Sequence, residues 1–279
     1  MDKENRGEEL NQISRLLFDK GSVCWYWGVS VEFFVGLVTV IITLLFLPLG
    51  WNIFWAIIGL IGLILSYYLK YQFSNIYDTA ETMRRQSVLT EALDWPISKV
   101  QFSKWRLKAG KKILDTFKLK GRNKDYYETD QKFGPKKLLE MTFESAFWTR
   151  HLYVKIRRYI VIILVISVAF AVLVIMFAPL PFLSIDLRLK IIYFIYLFLP
   201  IILSIDVLGW LLRINKLITS IEEIELDLEK LGECSEIKTE EVMRLVSEYN
   251  CQVVNGFPIP NWFFKLQYDH ITELWRLNK

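Results

Sequence analysis

Four apolar runs stand out from an otherwise mixed sequence, at residues 33–49, 53–69, 159–178 and 191–207. Each reaches or approaches the ~20 residues that a helix needs to cross a bilayer core of ~30 Å. Runs one and two are joined by a tight turn at Pro48, Leu49 and Gly50, and runs three and four by residues 179–190. The pattern predicts two membrane hairpins. The first run starts too far into the chain, behind a mixed-charge segment, to be a cleaved signal peptide.

Between and around these runs the period changes to amphipathic. Leu10, Ile13, Leu16 and Leu17 predict a short surface or docking helix over 8–18 that precedes the first span. No glycine or proline falls between Gly62 and Asp94, so the second span is predicted to continue as one helix over 52–94, stopped by Pro96. Ser98 predicts the cap of a helix that ends at Gly110. Residues 118–131 read as a loop. Pro135 then opens a helix that runs unbroken from 136 to 178, through the third span. Below the fourth span, Ile214, Ile221 and Leu228 alternate with Leu217, Ile224 and Leu231 in a heptad. That seam can join subunits or pack on the stalk of its own chain. Thr239 caps a helix to Tyr249, residues 251–254 are expected to be extended, and 261–277 form a last, aromatic-rich helix. The fold class is therefore an all-α integral membrane protein with four transmembrane helices in two hairpins, whose long helices extend into a cytoplasmic helical domain. Its parts are 1–28 (amphipathic), 29–70 (hairpin), 71–158 (basic stalk), 159–212 (hairpin) and 213–279 (heptad and docking helices).

Charge orients this layout. Residues 71–158 carry 19 Lys/Arg against 10 Asp/Glu, whereas the whole chain is only +4. The turn at 48–52 has no charge, and the 179–190 connection has only Arg188 and Lys190 as basic residues. The excess of basic residues places the middle segment and both termini in the cytoplasm. Arg157, Arg158 and Arg213, with the patch Trp25, Tyr26 and Trp27, fit anchors at the membrane boundary.

The candidate chemistry is sparse. Cys24, Cys234 and Cys251 form no CxxC, and His151 and His270 have no ligand-spaced partner, so no metal or cofactor is expected. No phosphate loop or nucleophile motif is present, and no enzyme is expected. Glu32 and Asp206 lie at one level, ~22 Å from the outer edge of the core at 1.5 Å per residue. They could line a cation path as a ring in an oligomer, or pair with Lys70 and Arg213. In the basic segment Lys99, Lys104, Trp105, Arg106, Lys108, Lys111 and Lys112 suit phosphates, with the aromatic stacking on a base. They equally suit anionic lipid headgroups. Glu81 is one helical turn from Arg85 and fits an ion pair.

The layout, with the stretches 80–85, 134–140, 144–152 and 257–263, resembles the four-transmembrane membrane effectors that accompany nucleotidyltransferases in bacterial antiphage defence, the SMODS-associated and Hailong-type systems. The resemblance implies a homo-oligomeric inner-membrane ion channel, with a tetramer as the working expectation. It further implies gating by a nucleotide or oligonucleotide, depolarisation of the membrane, and a nucleotidyltransferase as a partner. The other expectation is a scaffold or regulatory subunit without a pore that docks a cytoplasmic protein. A transporter is disfavoured, because four spans with few polar groups at mid-depth offer little substrate site.

Overall fold

A computed structural model describes residues 4–45, 49–120, 127–177, 184–186, 189–190, 207–254, 256 and 258–278. Every regular element among them is helical: α1 (Glu4–Leu45), α2 (Leu49–Leu93), α3 (Lys99–Ala109), α4 (Lys111–Lys120), α5 (Pro135–Phe177), α6 (Val207–Gly232), α7 (Thr239–Val254) and α8 (Asn261–Asn278). Two compact units result. The first comprises Met1–Val23, Gln72–Val154 and Arg213–Lys279, and the second Cys24–Tyr71 and Lys155–Leu212. Helices α1, α2, α5 and α6 each contribute residues to both units.

The two long helices predicted from the absence of glycine and proline are present as α2 and α5. Asp94 ends α2 in the left-handed region at φ 54°, a conformation that aspartate tolerates better than most side chains. The Gly134 N–H then donates to the Ala92 carbonyl at 2.7 Å, satisfying an orphan acceptor of that helix end. Ser98 caps α3 by accepting from the Gln101 N–H at 3.1 Å, and Gly110 closes it at φ 81°, where a side chain would be strained.

Three expectations are corrected. The N-terminal amphipathic helix is not separate from the first span, because α1 runs unbroken from Glu4 to Leu45. Its Gly21 and Gly28 are points of close approach and not breaks: a side-chain carbon at 21 would lie 3.4 Å from Ile76, and one at 28 would lie 3.1 Å from the Lys70 side chain. Residues 251–254 are the last turn of α7, not a strand. Residues 111–120, partly assigned to a loop, form α4.

In the first unit, one core joins the start of α1 to α2, α3 and α4. Leu10, Ile13 and Leu17 pack with Ala80, Met83, Phe102, Trp105 and Ile113, all nearly inaccessible. Polar threads fix the register. Ser87 Oγ donates to the Gly7 carbonyl at 2.9 Å, and Arg6 Nη1 donates to the Ile97 carbonyl at 2.8 Å. The rest of the unit is built on α5. Phe147 and Phe143 meet Trp275 of α8 at 5.1 and 5.7 Å, and Trp148 meets Phe264 and Tyr268 at 5.7 and 5.5 Å. Phe264, Tyr268 and Trp275 thus dock the last helix and Phe263 is buried, whereas Trp262, expected among them, is exposed. Glu140 and Glu144, one turn apart on α5, hold the segment before it: Thr129 Oγ1 donates to Glu140, and the Glu128 N–H donates to Glu144 at 3.0 Å.

Among the described residues, α1 and α2 are long and apolar enough to cross a membrane, over Arg6–Ile42 and Gly50–Leu93, and the second unit holds part of each. Their apolar side chains do not form a core. Ile57, Ile61, Ile64, Tyr67, Phe34 and Trp27 are all exposed, a patch far larger than a water-soluble surface carries. The two helices meet instead through small residues. Ser66 Oγ donates to the Gly28 carbonyl at 2.8 Å, and Val35 lies over Gly62. Close backbone approach of this kind is how helices associate where the hydrophobic effect gives no drive. The third predicted span falls within α5, where Ile162, Ile163, Val165 and Ile166 are exposed. The fourth, 191–207, lies almost wholly outside the described residues.

Candidate functional site

Helix α3 divides its residues cleanly. Phe102, Trp105 and Ala109 point into the core, so one side is committed to packing. Lys99, Lys104 and Lys108 on α3 and Lys111 and Lys112 on α4 are exposed, and none makes an ion pair among the described residues. Five unpaired ammonium groups within fourteen residues make a cationic surface on the first unit. Repulsion among them is relieved by any polyanion that bridges them.

Two members of the predicted set leave it. Trp105 is only 6% exposed within the α1–α4 core, so it cannot stack on a base. Arg106 is half-buried, with Nε 3.5 Å from Glu9 Oε1 and its guanidinium 5.7 Å from the centre of the Phe102 ring. It ties α3 to α1. The Phe–Trp interleaving that suggests nucleic acid is the inward period of an amphipathic helix. What remains is a cationic surface without a stacking platform.

Below α3 lies a buried polar network. Glu81 is 3% exposed. It accepts from Arg84 Nη2 at 2.6 Å and Nε at 3.0 Å, and from Arg85 Nε at 3.0 Å. Arg84 Nη2 also donates to Asn250 Oδ1 at 2.6 Å, and Arg85 Nη2 donates to the Asn250 carbonyl at 3.1 Å. Burial opposes ionisation of Glu81, but the two guanidiniums outweigh it and hold the carboxyl below its usual range. Burial would lower the pKa of Arg84, and the Glu81 charge reverses that and raises it. Burial also raises the phenol of Tyr77, which packs between Phe18 and Phe73. Tyr249 lies under the Arg84 guanidinium at 5.8 Å and donates to the Ser145 carbonyl at 3.1 Å. The cavity among Arg84, Arg85, Ser145 and Tyr249 holds about 10 Å³, room for a single water at most. The network therefore joins α2, α5 and α7 and leaves no room there for more than a water. The pairing of Glu81 with Arg85 is readable from spacing; Asn250 and Tyr249 are not, because they are more than a hundred residues away.

The heptad residues Ile214, Leu217, Ile221, Ile224, Leu228 and Leu231 are all buried within the protomer. Of the two packings open to that seam, the intramolecular one is realised, and these six side chains are not available to join subunits. Beside the seam, Arg150 Nε donates to Glu225 Oε2 at 2.7 Å. Burial raises the Glu225 carboxyl to about 7, against the pull of Arg150 and with help from Glu222 and Glu229. Its Oε1 accepts no hydrogen bond among the described residues.

In the second unit Glu32 is paired with Lys70. Of the two roles open to Glu32, the structure shows the pair, which joins α1 to α2. Asp206 lies outside the described residues. Groups of His, Cys, Asp and Glu able to hold a metal ion do not occur among the described residues.

Comparison with protein-family models, with curated proteins and with solved structures finds no match to this chain.

Proposed function

We propose that the protein is a homo-oligomeric ion channel of the bacterial inner membrane, opened or closed by an anionic nucleotide or oligonucleotide and acting in antiphage defence by depolarisation. The observation that supports this reading most is the cluster of unpaired lysines on α3 and α4, next in sequence to the end of α2. Helix α2 carries both the exposed apolar stretch and the Glu81–Arg84 network as one helix. A polyanion held by Lys99, Lys104, Lys108, Lys111 and Lys112 neutralises charge on α3, and α3 is locked to α1 by Arg106–Glu9 and by the core under Trp105. Both helices that take up the ligand's effect then enter the membrane. Glu32 and Asp206 line the cation path in this reading, with the Lys70 pair of Glu32 as its closed-state partner. Four spans in two hairpins, with both termini in the cytoplasm, complete the topology. A nucleotidyltransferase supplies the ligand.

A second reading, a scaffold without a pore, is favoured by Val100 and Leu107, which are 81% exposed among the lysines and suit a protein partner. Ion flux from liposomes carrying the purified protein, with and without oligonucleotides, separates the two. Ligand-dependent flux supports the channel, and a stable protein complex without flux supports the scaffold.

A further inference from the structure

Two exposed faces of the first unit match each other. On α3, Val100, Lys104, Leu107 and Lys108 share one side of the helix by their spacing of three, four and seven residues. Lys111, also exposed, opens α4 just past Gly110. Val100 and Leu107 are each 81% exposed, the highest values for large apolar residues on that helix. On α6, Glu222, Glu223, Leu226 and Glu229 share the face opposite the buried seam, with Lys230 beside Leu226 held by Asp227 and Glu233 just past the helix end, and Leu226 is 50% exposed. Glu222, Glu223, Glu229 and Glu233 make no ion pair among the described residues. One face is apolar with a lysine surround, the other apolar with a glutamate surround. Within the helices the α3 face extends ~12 Å and the α6 face ~10 Å at 1.5 Å per residue.

We propose that the α3 face of one copy docks on the α6 face of a second copy, with Leu226 seated between Val100 and Leu107. Those two lie one helical repeat of seven residues apart, ~10 Å, which leaves the width of one leucine between them. Lys104, Lys108 and Lys111 then oppose Glu222, Glu223 and Glu229. Each copy carries both faces, so the docking repeats from copy to copy and closes a ring or a pair. A single helix-to-helix junction is small beside a stable interface in solution. It becomes effective when the copies are held in one membrane at high effective concentration. The proposal thus rests on the reading of the chain as a membrane-embedded homo-oligomer and gives that oligomer a second junction outside the membrane. It also makes a polyanion and the neighbour's glutamates compete for the same lysines, which would couple ligand binding to subunit association.

The test is a charge exchange measured as cross-linking between copies reconstituted in liposomes, with no ligand and no flux assay. Lys104→Glu with Lys108→Glu and Lys111→Glu should weaken self-association at least about tenfold, because like charges then face each other. Glu222→Lys with Glu223→Lys and Glu229→Lys should do the same. All six together restore complementarity and should restore assembly. These positions are exposed, and helical circular dichroism checks that each variant folds. Failure of the six-fold variant to recover overturns the proposal, as does unchanged assembly in either triple variant. If the α3 triple variant only loses binding to vesicles containing phosphatidylserine, while assembly is intact, the face belongs to the membrane surface and the proposal also fails. A channel without ligand response leaves these outcomes unaffected, so the two readings fail separately.

Discussion

Arg84 Nη2 sits 2.6 Å from Glu81 Oε1 and 2.6 Å from Asn250 Oδ1, so one guanidinium joins neighbouring turns of α2 to the end of α7. Removing the carboxylate strands a charge whose side chain is only 18% exposed. Glu81→Ala should therefore cost about 3–5 kcal/mol, the usual penalty for breaking a buried pair. Arg85→Ala should cost about 1 kcal/mol or less, since Arg85 is more exposed and Arg84 still satisfies Glu81. Urea unfolding in detergent, followed by near-ultraviolet circular dichroism, measures the difference; equal losses would show that the network does not hold the unit together.

Glu225 gives a pH dependence of definite sign. Its folded-state carboxyl titrates at about 7, above the ordinary 4.5. The folded chain thus binds the proton more tightly than the unfolded one, and the stabilisation is complete below about 4.5 and is lost as pH rises through about 7. Glu225→Gln cannot titrate and should flatten that part of the stability curve. Parallel curves for the two proteins between pH 5 and pH 8 (a range on the order of the window set by that shift) would contradict the burial of this carboxylate beside Arg150.

The hairpin of α1 and α2 makes a contrast between two glycines. A side-chain carbon at 62 would lie 2.5 Å from Val35 Cγ2, whereas one at 59 would lie 3.6 Å from Val35 Cγ1. Val35 is short and branched and cannot swing clear. Gly62→Ala should lower stability by about 1–3 kcal/mol through overpacking. Gly59→Ala should be neutral or stabilising by up to ~1 kcal/mol, because alanine is the better helix former. Thermal midpoints of the two variants in one detergent decide it.

The lysine face predicts a salt signature. Replacing Lys108, Lys111 and Lys112 by glutamate should weaken binding of a short oligonucleotide and lower the slope of log affinity against log salt by about one for each phosphate no longer neutralised. Trp105→Phe should leave the affinity unchanged, since the indole is buried in the core. An unchanged slope in the lysine variant would assign those residues to lipid.

Much of this architecture is legible in the sequence because it depends on local rules. The absence of glycine and proline foretells α2 and α5, and Ser98 and Gly110 mark both ends of α3. What the sequence hides depends on partners far away in the chain. The missing side chains of Gly21 and Gly28 serve the approach of α2, and no local feature of α1 shows that. Trp105 among lysines suggests a stacking platform. Only the positions of Leu10, Ile13 and Met83 reveal that it is core. The heptad on α6 identifies a seam but not its partner, since leucine packs equally well on its own chain or on another.

Ion flux through reconstituted liposomes is the measurement that bears most directly on the channel. A potassium gradient should dissipate faster with an oligonucleotide bound, or be protected by it, and the difference should vanish when Lys99, Lys104, Lys108, Lys111 and Lys112 are neutralised. A protein that leaves the gradient intact with every anionic ligand, while its lysine face binds those ligands, would contradict the channel reading.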